Sequence, residues 1–133
     1  MCRNKYYGRS LNQETFSETI EDFFKFICLD QQNEGLRLDI ISKVTANVEE
    51  LITVLNKLDT YRFYTASLLV TYDAGAEQQN VVDVRMIDFA HSTHKGLRDE
   101  TVHEGPDHDF IQGLKTFVKI LEQIMQKPCT RHL

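Results

Sequence analysis

The sequence predicts an α+β fold: two N-terminal helices, an antiparallel strand pair and a C-terminal helix around one core. Three observations predict it. Apolar residues recur at helical spacing before residue 60, and the composition turns aromatic and β-branched between Tyr61 and Ile87. A last apolar stripe then runs from Phe110 to Met125.

The first helix follows from Ser10, which offers an N-cap with Gln13 at the capping-box position. Phe16, Ile20, Phe23, Phe24 and Ile27 then form one stripe of core residues, and the polar residues 30–34 end the helix. Ile41, Val44, Val48, Leu51, Leu55 and Leu58 form a longer stripe, predicting a second helix from about Leu36 to Leu58. The run from Tyr61 to Tyr72 has a strand composition. A polar connection over residues 74–80 leads to a second strand, Val81 to Ile87, and so short a link favours an antiparallel pair. Residues 89–106 show no periodicity and contain glycine, proline and histidine. A loop of that length in a compact domain points to function. Asp107 caps the last helix, whose stripe is Phe110, Ile111, Leu114, Phe117, Val118, Leu121, Ile124 and Met125, and Pro128 ends it.

The second strand ends abruptly in Asp88, followed by Phe89, Ala90 and His91. A carboxylate at a strand tip is a hard oxygen ligand suited to Mg2+, which can bridge phosphate oxygens. The alternative for Asp88 is a turn former or cap at a strand end. Arg3, Lys5 and Arg9 stand together at the N-terminus with no acid among them, and Arg85, His91, His94, Lys95 and Arg98 form a second basic group. Both read as solvated charge or as a focused anion site on an otherwise acidic chain. His91 and His94 also have the spacing of zinc ligands, but they fall in a predicted loop with no cysteine near.

A formal net charge of −5 argues against general nucleic-acid binding. No apolar run approaches the roughly 20 residues that span a bilayer, so no membrane role is expected. Cys2, Cys28 and Cys129 are odd in number and scattered, which fits free thiols in a reducing compartment. The first residues lack the apolar centre of a signal peptide. Cytosol or nucleus is the expected location.

Four ordered segments carry a resemblance: residues 2–9 (Cys-Arg-Asn-Lys-Tyr-Tyr-Gly-Arg), residues 61–69 (Tyr-Arg-Phe-Tyr-Thr-Ala-Ser-Leu-Leu), residues 82–91 with the Ile-Asp-Phe triplet, and His103-Glu104-Gly105-Pro106-Asp107 with Phe110–Leu114. Together they resemble the C-terminal half of an inositol polyphosphate kinase, and within that family the inositol hexakisphosphate kinase branch, which makes inositol pyrophosphates. The resemblance covers residues 1–126 and leaves residues 127–133 as a tail. It implies ATP-dependent phosphorylation of an inositol phosphate, with Mg2+ as the metal. Asp88 matches the metal-binding acid of the family motif and is the catalytic candidate. Ser67 matches the second serine of a Ser-Ser-Leu-Leu motif near the nucleotide. His91 matches a histidine facing the inositol phosphate. Lys5 and Arg9 are further candidates for substrate phosphates on electrostatic grounds, because a highly phosphorylated ring beside a nucleotide needs cations to offset the repulsion.

Two positions depart from the family pattern: Ala66 stands where a serine is usual, and Asp109 where a glycine is usual. The family's ATP-clamping lysine, its hinge and its Pro-x-x-x-Asp-x-Lys-x-Gly motif lie N-terminal to the matched region, and no proline precedes Pro106 here. The expectation is therefore a C-lobe without its N-lobe, with that lobe or a protein partner missing. Alternatives are a non-catalytic fragment or regulatory module that binds anionic inositol phosphates or a partner protein, and a piece of an ordinary kinase.

Overall fold

The computed structural model describes residues 2–28, 33–74, 81–97 and 102–127. Its elements are α1 (Lys5–Ser10), α2 (Gln13–Phe23), β1 (Lys25–Cys28), β2 (Asn33–Leu36), α3 (Leu38–Leu55), β3 (Arg62–Tyr64), β4 (Ser67–Tyr72), β5 (Val82–Ile87), β6 (His91–Thr93) and α4 (His108–Gln126). Every strand pair is antiparallel: β1 with β2, β3 with β6, and β4 with β5. The expected α+β class holds.

The core is a seam between α3 and α4. Ile40, Ile41, Val44, Val48 and Leu55 from α3 meet Ile111, Leu114, Val118, Ile120, Leu121 and Ile124 from α4, all buried. Their three- and four-residue spacing gives each helix one apolar stripe, and burying such stripes against each other is the main stabilising term. The β4–β5 pair packs its Leu68, Val70, Tyr72, Val82, Val84 and Met86 onto this seam. Its other residues alternate outward, as the strand period requires. No helix among the described residues is long and apolar enough to cross a membrane.

The N-terminal region differs from the expectation. Ser10 does not cap α2; it is the last residue of a short helix, α1, and its hydroxyl donates to the Tyr7 carbonyl at 2.7 Å. The cap is Asn12, whose side-chain oxygen accepts from the Thr15 N–H at 2.9 Å, while the Thr15 hydroxyl accepts from the Asn12 N–H at 2.9 Å. Asparagine competes well for this position, and threonine completes the box in place of glutamate or glutamine. The helix also ends earlier than its stripe suggests. Phe24 turns the chain, and Ile27 belongs to β1. Phe16 and Phe23 are exposed rather than core, because α2 lies at the rim and reaches the core only through Ile20 and the buried Phe24. Residues 33–34, expected in a polar break, open β2, and the Arg37 N–H closes the β1–β2 hairpin on the Phe24 carbonyl at 3.0 Å. At the far end of α4, Met125 is exposed. Residues 75–80, Arg98, Pro128 and Cys129 lie outside the described residues.

Tyr72 ties the rim to the core. Its ring stacks on Phe24 at 5.7 Å, meets Phe23 edge-on at 5.3 Å, and its hydroxyl donates to the Phe23 carbonyl at 2.5 Å. Burial pushes the phenol's pKa above its ordinary value, with the Arg37 charge acting weakly the other way. The folded chain therefore holds this proton more tightly than the unfolded chain does. The contribution of this phenol to stability is constant below about pH 10 and falls as pH rises beyond it through the folded value. A spectrophotometric tyrosine titration should show one phenol ionising last, and the Tyr72→Phe variant should lack that step.

Candidate functional site

The strand predicted from Tyr61 to Tyr72 is two strands, β3 and β4, parted at Thr65 and Ala66. The structureless loop expected after Asp88 likewise contains β6. Register explains both. Ser67 lies opposite Ile87, and Tyr64 lies opposite His91. The same two chain segments thus make both pairs, a ribbon broken into two separate sheets where Thr65 and Ala66 on one segment and Asp88, Phe89 and Ala90 on the other are unpaired. The second segment carries one more residue than the first across the gap, and each segment turns there, with the Ala66 N–H on the Phe63 carbonyl and the Ser92 N–H on the Phe89 carbonyl.

Left-handed backbone marks both sides of the break: Thr65 has φ 59° and Asp88 φ 65°. A β-branched threonine in that region is strained by about 1–2 kcal/mol, and aspartate tolerates it better than most residues. Such strain persists only where the surroundings impose it, and it concentrates at functional sites.

The break gathers three of the residues singled out from the sequence. Asp88 forms one side of it, Ser67 flanks it at the start of β4, and His91 flanks it at the start of β6. All three are exposed. No hydrogen bond or ion pair engages the Asp88 carboxylate among the described residues, so its oxygens are open to an external ligand. Among the described residues no group of three or more His, Cys, Asp or Glu side chains gathers to cage an ion. A metal at Asp88 would take one carboxylate from this region and its other oxygens from water and phosphates. Mg2+ favours that arrangement, so the residues fit it.

Lys5 and Arg9 are not drawn into this group by any contact. They lie exposed on α1, and α1 is tied to α2 by the Tyr7 hydroxyl and Thr19 Oγ1 at 2.9 Å and by the Arg3–Asp22 pair at 3.8 Å. Arg3 also covers the Tyr7 ring at 4.1 Å, and Lys5 leans on Tyr6 at 5.3 Å. The second basic group is likewise dispersed. Arg85 pairs with Asp83 at 2.6 Å along β5, and His94 stacks on Tyr61 at 4.9 Å. His94 Nδ1 accepts the Gly96 N–H at 3.0 Å, which commits it to its own turn rather than to a metal shared with His91.

Residues outside the site candidates brace the β3 side of the break, among them Asp107, which caps α4 as expected and also reaches β3. Asp107 is buried; one oxygen accepts the Phe110 N–H at 3.0 Å, capping α4, and the other accepts the Phe63 N–H of β3 at 2.8 Å. The Arg62 guanidinium donates to the carbonyls of Tyr61, Glu104 and Gly105 at 2.7–2.9 Å. The Thr60 N–H adds a bond to Gly105 at 3.0 Å. Arg62, His103 and Asp107 all stand inside the segments that carried the resemblance. Only the folded register shows what each of them touches.

The model of the family "Inositol polyphosphate kinase" matches residues 1–122. Inositol hexakisphosphate kinase 1 of Mus musculus is 35% identical over 161 residues, covering 93% of this chain and 36% of that protein. Inositol hexakisphosphate kinase 3 of Homo sapiens is 31% identical over 150 residues, covering 95% and 35%. This chain thus spans about a third of the length of such relatives. A solved structure of an inositol phosphate multikinase shares the fold with a TM-score of 0.71 at 22% identity, covering 92% of this chain and 53% of that one. The S. cerevisiae inositol phosphate multikinase, solved with ADP and Mn2+, gives 0.70 at 21% identity, covering 92% and 51%.

Proposed function

Because the chain belongs to the inositol polyphosphate kinase family, we propose that it carries the metal-binding part of a kinase that phosphorylates an inositol phosphate with ATP. The hexakisphosphate is the proposed substrate and an inositol pyrophosphate the product. The reading is carried by the ribbon break, which puts the unpaired Asp88 carboxylate beside Ser67 on one flank and His91 on the other. Asp88 would hold Mg2+, Ser67 would donate to the nucleotide phosphates, and His91 would contact the inositol phosphate. Bound there, the metal supplies charge neutralisation between phosphates, which is most of what phosphoryl transfer asks of its site. Lys5 and Arg9 would add positive charge toward substrate from α1. The ADP and Mn2+ in the yeast relative support a nucleotide and a divalent ion as ligands.

The chain by itself spans about a third of its curated relatives, and positioning both substrates accounts for several kcal/mol of such a barrier. Little or no turnover is therefore expected from these 133 residues alone. Inositol hexakisphosphate titrated into the purified chain should bind, and binding should weaken as ionic strength rises. Absence of binding, or binding indifferent to salt, would contradict the substrate reading. Asp88-dependent conversion of the hexakisphosphate would contradict the low turnover.

A further inference from the structure

Beyond the break, on the His91 side, the ribbon carries a group of side chains that the reading above does not use. Tyr64 lies directly opposite His91, so the two side chains leave the same face as cross-strand neighbours. The Tyr64 hydroxyl meets His103 Nε2 at 3.1 Å, and the rings stand edge to face at 6.2 Å. His91, Tyr64 and His103 thus form a row along one accessible face, with Tyr64 48% exposed in its middle.

A tether for the 102–106 segment is the plain role for the Tyr64–His103 bond, but that segment is already held. Arg62 binds the carbonyls of Glu104 and Gly105, Thr60 binds Gly105, and Asp107 fixes the next turn to β3. What the pair adds is a donor. If the hydroxyl donates to Nε2, the neutral ring carries its proton on Nδ1. If Nε2 donates, the hydroxyl proton is free to turn elsewhere. Neither group has another partner among the described residues. In both cases one donor is left over, on the His103 ring or on the Tyr64 hydroxyl that neighbours His91.

We propose that Tyr64 and His103 extend the substrate side of the site and hold a second phosphate group of the inositol phosphate. The inference rests on the assignment of that side to His91. A polyphosphorylated ring presents phosphates on adjacent carbons, so a row of donors engages more than one of them. A row without acids also suits a ligand of high negative charge better than a single histidine does.

The test is calorimetric titration of inositol hexakisphosphate into the whole chain and its Tyr64→Phe and His103→Leu variants, with the thermal midpoint of each. Each variant should lose about tenfold in affinity, the scale of one hydrogen bond to a charged group. His103→Gln, which keeps a donor, should recover most of it. A tether role would lower the midpoint and leave affinity alone. Wild-type binding with both variants unchanged in affinity overturns the proposal. If His103→Leu fails to fold, Tyr64→Phe, which keeps the ring and its packing, decides by the same affinity. Absence of wild-type binding overturns the substrate assignment itself, and this proposal with it.

Discussion

Replacing Asp107 by alanine should destabilise the chain by about 2–4 kcal/mol, measured as the shift in urea midpoint at constant slope. The estimate has two parts. Loss of the cap at the Phe110 N–H costs about 0.5–2 kcal/mol. The Phe63 N–H, on a strand edge covered by the start of α4, loses its acceptor, at about 1–3 kcal/mol for a buried orphan donor. A domain of this size has about 5–15 kcal/mol in all, so the variant should populate unfolded forms on mild heating. Asparagine separates the two parts. It caps as well as aspartate, but it has one side-chain oxygen and would turn an amide toward Phe63. Asp107→Asn should therefore fall between wild type and alanine. Alanine and asparagine equal to wild type would mean that Asp107 does not join β3 to α4.

The second large effect concerns Asp88. Its left-handed backbone is available to glycine without penalty. Asp88→Gly should thus leave stability within about 1 kcal/mol of wild type, since relief of strain is offset by the entropy glycine adds to the unfolded chain. The same change removes the one carboxylate that the described residues place at the break. The expected pattern is an intact fold by circular dichroism and denaturation with loss of metal-dependent nucleotide binding. A turn former would behave otherwise. If Asp88 served only to shape the turn, glycine would serve as well and binding would persist.

The helical seam was legible because its signal is redundant: each of α3 and α4 repeats its apolar spacing over several turns, and one misplaced residue does not hide it. Asp88 was legible as a strand tip because an apolar run ends there in a charge. What escaped depends on partners remote in the chain. Nothing local in Tyr-Thr-Ala-Ser marks Thr65 as left-handed; β-branched residues favour strands, and only pairing of Tyr64 with His91 and Ser67 with Ile87 requires the break. His103 reads as an ordinary loop residue until the Arg62 bonds set its segment against β3. At the N-terminus, Ser10 and Asn12 are both good caps, and the choice between them turned on Thr15, which completes a box with Asn12 alone. The candidate nucleotide and substrate residues divided in the same way. Ser67 and His91 came to Asp88 through register, whereas Lys5 and Arg9 rested on charge, and charge does not say where α1 packs.

The central claim is that the Asp88 carboxylate holds a divalent ion shared with nucleotide phosphates. It is tested most directly by the affinity of the 133-residue chain for ATP with Mg2+ and with excess chelator, in wild type and in Asp88→Asn. Asparagine keeps the size and the left-handed backbone tolerance while removing the charge. Wild type should bind ATP more tightly with Mg2+ than without, and Asp88→Asn should bind alike in both conditions. A magnesium increment that survives in Asp88→Asn, or that is absent from wild type, would contradict the account.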